Sequence, residues 1–137
     1  MVAVILATAF QLAVPDCSSV FSSYARGRRW DFTITVAALE KAPTWREDEA
    51  SPPLSPRDAI SIAARQLGTF VRDSEHWRLT ALTLQPLAGD GNWIYVVRYA
   101  EPLPQEGVGS FSGGWFEIPV LMDGRTVTPT EQRWPAQ

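Results

Sequence analysis

The chain has 137 residues, 45% hydrophobic and 20% charged, with a formal charge of -3, which fits one globular domain and argues against a disordered segment. Its cations are almost all arginine, with Lys41 the one lysine, and a mildly acidic chain lacks the basic stripe that a nucleic-acid binder needs. One cysteine, Cys17, and one histidine, His76, leave no internal disulfide and no zinc set of Cys and His.

Val2 to Val14 is an apolar run interrupted by Thr8 and Gln11, too short to span a bilayer. Ser23-Tyr24-Ala25 offers small residues at the two positions that a signal peptidase reads. The sequence therefore predicts an export segment over 1–25, cut after Ala25, and a periplasmic or extracellular domain over 26–137. No basic residue precedes the run, and the alternative makes this segment a buried strand or helix of the domain. Membrane association is expected only through the segment left uncleaved. Val14-Pro15-Asp16 before Cys17 does not suit lipidation. Arg26, Arg28 and Arg29 read as a solvated flank.

Trp30 to Val36 alternates large apolar and polar residues, the period of a half-buried strand with Trp30, Phe32, Ile34 and Val36 on one face. Lys41 to Leu54 holds Pro43, Pro52 and Pro53 among charges and reads as an irregular connection in which Trp45 folds back on the core. Ser55 then begins the best-marked element. It is a natural N-cap, Pro56 suits the first turn, and Asp58 lies in the field of the helix N-terminus. Ala59, Ile60, Ala63, Leu67, Phe70 and Val71 recur at three-and-four spacing, one apolar stripe of a helix over about 55–71.

Trp77 to Leu84 reads as a strand, Gly89-Asp90-Gly91 as the return, and Trp93 to Ala100 as the strongest strand of the chain. Glu101 to Gly114, rich in Pro and Gly, is a long loop. Trp115 to Met122 is again a strand, with Pro119 placing it at an edge or bulge, and Asp123-Gly124 predicts a hairpin to Arg125–Thr128. Phe116, Ile118, Val120 and Met122 form an apolar row expected under the helix together with Ile94 and Val96. The opposite face then carries Trp93, Tyr95, Tyr99 and Trp115, a candidate surface for a protein or peptide partner.

No catalytic constellation accompanies these elements. His76 stands beside Glu75 with no marked nucleophile; Asp90 and Asp123 precede glycines, as turn residues do; Glu117 and Asp31 are carboxylates that nothing selects as a pair. No glycine-rich phosphate cradle precedes a helix. The sequence points to no enzyme, no metal and no cofactor.

The stretch Ser55-Pro56-Arg57-Asp58-Ala59-Ile60-Ser61-Ile62-Ala63, the strands around Leu79–Leu84 and Trp93-Ile94-Tyr95-Val96-Val97, and the closing Val120-Leu121-Met122-Asp123-Gly124 together resemble the PepSY domain, over about Leu54 to Val127. The resemblance implies a cystatin-like arrangement and an exported bacterial protein, with relatives that include inhibitory propeptides of secreted metallopeptidases. It carries no catalytic residues. The strand before the helix and the Glu101–Gly114 insertion depart from the family pattern. The expected fold is α+β: a single two-layer domain with one helix on an antiparallel sheet of four or five strands, the runner-up being an NTF2-like cone. The expected function is a non-catalytic exported binding module modulating a secreted peptidase. The alternatives are a cell-envelope accessory protein that acts by self-association and a small-ligand-binding NTF2-like domain.

Overall fold

These patterns resolve into six strands and two α-helices in the computed structural model, which describes residues 17–87, 89, 91–102 and 113–134. In chain order they are β1 (Cys17–Ala25), β2 (Arg28–Thr35), α1 (Val36–Lys41), α2 (Pro56–Phe70), β3 (Arg78–Pro86), β4 (Trp93–Ala100), β5 (Trp115–Leu121) and β6 (Thr130–Arg133), with a 3-10 turn at Ser74–His76 before β3. One antiparallel sheet runs in the order β3-β4-β5-β1-β2-β6. The fold is α+β in two layers, as expected, though with six strands and an additional short helix.

The main helix begins where its capping residue stands. Ser55 Oγ accepts from the Asp58 amide at 3.1 Å, and Pro56 occupies the first turn, where its missing N–H costs nothing. The stripe then packs on β5 and β4: Ala59, Ala63 and Leu67 are fully buried, and Phe70 stacks on Phe116 with ring centroids 5.5 Å apart. The short helix was not legible as one. Thr35 caps it by accepting from the Ala38 amide at 3.1 Å, so Val36 leaves the strand and is exposed instead of continuing the Trp30–Ile34 row.

The assignment of 17–25 to a leader meets a direct correction. β1 is an interior strand, paired with β2 along its whole length and with β5 at Tyr24↔Trp115. The described domain therefore begins by Cys17 rather than Arg26. Ser23 is completely buried, and its hydroxyl accepts from the Glu117 amide at 2.8 Å, tying β1 to β5 one residue beyond their registered pair. β5 is likewise an interior strand, between β4 and β1, rather than the edge that Pro119 suggested; Pro119 lies opposite Val96 of β4, further along β5 than its registered pair with β1. Arg26 and Gly27 turn β1 into β2 with φ of 52° and 71°, the left-handed pair of a two-residue hairpin.

The chain after β5 also departs from expectation. Gly124 has φ 83° and its amide donates to Leu121 O, so the Asp123-Gly124 turn forms. Arg125–Thr128 contributes one isolated bridge, Val120↔Thr126, in place of a strand. The Gly89–Gly91 return closes through Leu87 N donating to Asn92 O at 2.8 Å; Asp90 lies outside the described residues. So does 103–112, the middle of the long loop.

Candidate functional site

Cross-strand partners in an antiparallel pair share a face, so the β4–β5 register fixes what each side of the sheet presents. Tyr95 opposes Val120, Val97 opposes Ile118, and Tyr99 opposes Phe116. All six belong to the core beneath α2. Ile94, Val96, Arg98 and Ala100 share the other side with Leu121, Pro119, Glu117 and Trp115. The sequence reading was therefore one residue out on β4: Ile94 and Val96 are not under the helix, and Tyr95 and Tyr99 are not on the outer surface.

Of the four proposed partner-binding residues, Tyr95 and Tyr99 are buried at 2% and 6% exposure. Their rings fill the helix side while each phenol finds a backbone acceptor: Tyr95 donates to Leu54 O at 2.8 Å and Tyr99 to Ile60 O at 3.4 Å. Burial pushes both phenols above their ordinary pKa. Trp93 is half-buried on the helix side and meets Trp45 edge to face at 5.1 Å, which confirms that Trp45 folds back. The Trp45 backbone amide donates to Gly91 O at 2.9 Å. Only Trp115 stays where the sequence placed it.

The outer face is divided. Toward one end Ile94, Val96 and Leu121 form a second cluster with Ile34 of β2 and Leu39 of α1, so the short helix helps close that end. The other end is open and aromatic. Trp115 and Tyr24 lie 5.3 Å apart at 56°, and Trp134, just after β6, meets Tyr24 edge to face at 4.9 Å. Trp134 is held by its amide donating to Gly27 O at 3.0 Å, yet it stays 44% exposed. Arg98 lies over the Trp115 ring at 5.3 Å and Arg29 over Tyr24 at 5.9 Å. Beside the rings a groove of about 480 Å³ is lined by Arg26, Arg28, Glu101 and Gly114.

The charges around this strip are ordered by the fold. Asp31 accepts from Ser22 Oγ at 2.6 Å and from Arg29 Nε at 2.9 Å. The Ser22 hydroxyl first, and the Arg29 guanidinium after it, hold the Asp31 carboxyl below the usual carboxylate range. Arg26, read earlier as a solvated flank, is a bridge. Its Nε donates to Glu101 at 3.1 Å, its Nη2 to Asp73 at 2.5 Å, and its guanidinium lies 5.7 Å over Trp77. Glu101 in turn closes the stem of the long loop. Its amide donates to Gly114 O at 2.9 Å and its carboxylate accepts from Gly114 N at 3.0 Å. Arg26 thus holds the β1–β2 turn, the segment after α2 and the loop stem together, in a backbone conformation that non-glycine residues adopt at a cost of about 1 kcal/mol.

Tyr24 and Trp134 were missed because one fell in the supposed leader and the other in a tail without pattern. Strand pairing alone brings them beside Trp115. Among the described residues no group of three or more His, Cys, Asp or Glu side chains is placed to hold a metal ion, and no helix is long and apolar enough to cross a membrane. His76 is exposed, with the Glu75 carboxylate 3.5 Å away. No family model, curated protein or solved structure matches the chain.

Proposed function

We propose that the domain is a non-catalytic binding module that takes a polypeptide partner on the open end of its outer sheet face. Trp115, Tyr24 and Trp134 are the apolar anchors, and Arg98 and Arg29 are the flanking cations. The observation that carries this reading is a run of three touching aromatic side chains on the solvent side of a sheet whose other side is already filled by α2. Trp, Tyr and Arg are the residues that dominate binding hot spots. The rings are tilted at 56° and 79°, which makes a ridged surface suited to side chains more than a flat platform suited to sugar rings.

Selection of a displayed peptide library on the purified protein tests this, followed by affinity measurement on Trp134→Ala and Trp115→Ala. Enriched peptides should lose at least about tenfold in affinity, the scale of one hot-spot aromatic. Peptides that bind both variants unchanged, or no enrichment at all, would remove the aromatic strip from the account.

The resemblance to PepSY domains supports a narrower form, in which the module is exported and its partner is a secreted peptidase. Any leader would then be processed before Cys17, since β1 belongs to the sheet. Peptidase activity unchanged by the domain at high micromolar concentration removes this narrower form and leaves the peptide test standing.

A further inference from the structure

On the helix side of the sheet the second layer runs out before the sheet does. α2 packs on β5 and β4, and its last residue, Phe70, reaches Trp30 and Phe32 of β2 with ring centroids 5.1 and 5.9 Å away. Past Phe70, toward β6 and the β1–β2 turn, a cavity of about 620 Å³ opens, within the roughly 300–1,000 Å³ of small-molecule sites. Its apolar wall is made by Ala25, Trp30, Phe70 and Val71, all part of the helix-side core. Thr128 and Pro129 bound it from the segment that leads into β6. Glu131 of β6 opposes Trp30 of β2, so it stands on this same face.

The polar groups of the lining are unevenly used. Three guanidiniums, those of Arg26, Arg28 and Arg72, meet one carboxylate, Glu131. Arg26 is tied to Asp73 and Glu101, and Arg28 pairs with Glu131. Arg72 is exposed and has no ion-pair or hydrogen-bond partner among the described residues. The buried indole nitrogen of Trp30 is also without a hydrogen-bond partner. Both unused groups are donors, and the only carboxylate of the lining is already paired, so the cavity is short of acceptors. The nearby end of α2 is its negative one, and Arg72, two residues past Phe70, offsets it.

We infer that this cavity binds a small amphiphilic anion, an alkyl carboxylate, with its chain against Trp30, Phe70 and Val71 and its head group on Arg72. Arg28 is available as a second contact for the head. Its pair with Glu131 has side chains 53% and 34% exposed, and a pair so open holds weakly. A cationic ligand would meet three like charges, and an uncharged chain would leave the Arg72 guanidinium unused. The aromatic strip of Tyr24, Trp115 and Trp134 belongs to the opposite face, so this site stands independently of the proposed partner surface.

Titration of the full chain with octanoate, 1-octanol and acetate, followed in proton–nitrogen correlation spectra, tests this. Octanoate carries both chain and head, octanol the chain alone and acetate the head alone. The Trp30 indole signal is assigned by its absence in Trp30→Phe. Octanoate should shift that signal and the amides of Thr69 to Arg72 in a saturable way and leave the Trp115 and Trp134 indoles in place. Octanol and acetate at equal concentration should shift them far less. Arg72→Gln, at an exposed position, should weaken octanoate binding roughly fivefold or more without changing the thermal midpoint. No saturable shift with octanoate, octanol binding as tightly as octanoate, shifts centred on Trp115 and Trp134, or affinity unchanged in Arg72→Gln would each overturn the inference.

Discussion

Removing residues up to Ala25, so that the chain starts at Arg26, should abolish folding. β1 registers with β2 over eight pairs, from Cys17↔Thr35 to Ala25↔Arg28, and in an antiparallel ladder this corresponds to about one backbone hydrogen bond per pair. At a net 0.5–1.5 kcal/mol each, these bonds contribute roughly 4–12 kcal/mol. Phe21, which packs against both hydrophobic clusters, adds about 2 kcal/mol. The sum matches the whole stability of an ordinary domain, roughly 5–15 kcal/mol. The loss is also topological: without β1 the β2–β6 pair is a two-stranded remnant with no neighbour in the sheet. Circular dichroism and a proton–nitrogen correlation spectrum of chains starting at Cys17 and at Arg26 read the outcome. The first should show dispersed resonances and a cooperative melt, the second neither. A chain starting at Arg26 that melts cooperatively at a similar temperature would refute the placement of β1 inside the sheet.

Leu67→Ala, at a fully buried position of α2, should cost about 3–5 kcal/mol in chemical denaturation, whereas Trp134→Ala, at an exposed ring, should cost less than about 1 kcal/mol. Gly124→Ala should destabilise by about 1 kcal/mol, because φ is 83° and the added Cβ would stand 3.3 Å from Ile62 Cδ1. The pH dependence follows from Asp31 and Asp73, whose carboxyls are held low in the folded state, the first by the Ser22 hydroxyl and the second by Arg26. The unfolded chain binds the proton more readily, so their contribution is fully present above the unfolded value of about 4 and is lost as pH falls through the lower folded values. Thermal midpoints should therefore decline below about pH 4, and Asp31→Asn should flatten part of that decline; an unchanged acid slope in that variant would exclude Asp31 as a contributor.

How much of this was legible in the sequence depends on how many signals agreed at each element. α2 was fully marked, since Ser55, Pro56 and the Ala59–Ala63–Leu67 stripe all specify the same start and the same buried face. β1 was hidden because Ser18, Ser19, Ser22 and Ser23 give it the small-residue character of a processing site, and the burial of Ser23 depends on a long-range bond to Glu117. The face of β4 was undecidable from alternation, because Ile94, Tyr95, Val96 and Val97 are all buried and a strand covered on both sides loses its period of two. What decided it was the reach of the Tyr95 and Tyr99 phenols to carbonyls on the helix side. Thr35 and β6 carry the shortest signals: a one-residue cap and a four-residue polar strand whose only specification is its partner, β2. The candidate face was half legible for the same reason. Trp115 lies in a strongly marked strand, while Tyr24 and Trp134 reach it only through pairings remote in sequence.

Hydroxyl-radical footprinting read residue by residue in a mass spectrometer tests most directly that the two sheet faces have been assigned to the right occupants. Trp134, Trp115 and Tyr24 should be modified readily, and Tyr95 and Tyr99 should be protected until the protein unfolds. A bound peptide partner should then shield the first three. Rapid modification of Tyr95 and Tyr99 in the native protein, with Trp115 and Trp134 protected, would invert the sheet and contradict the account.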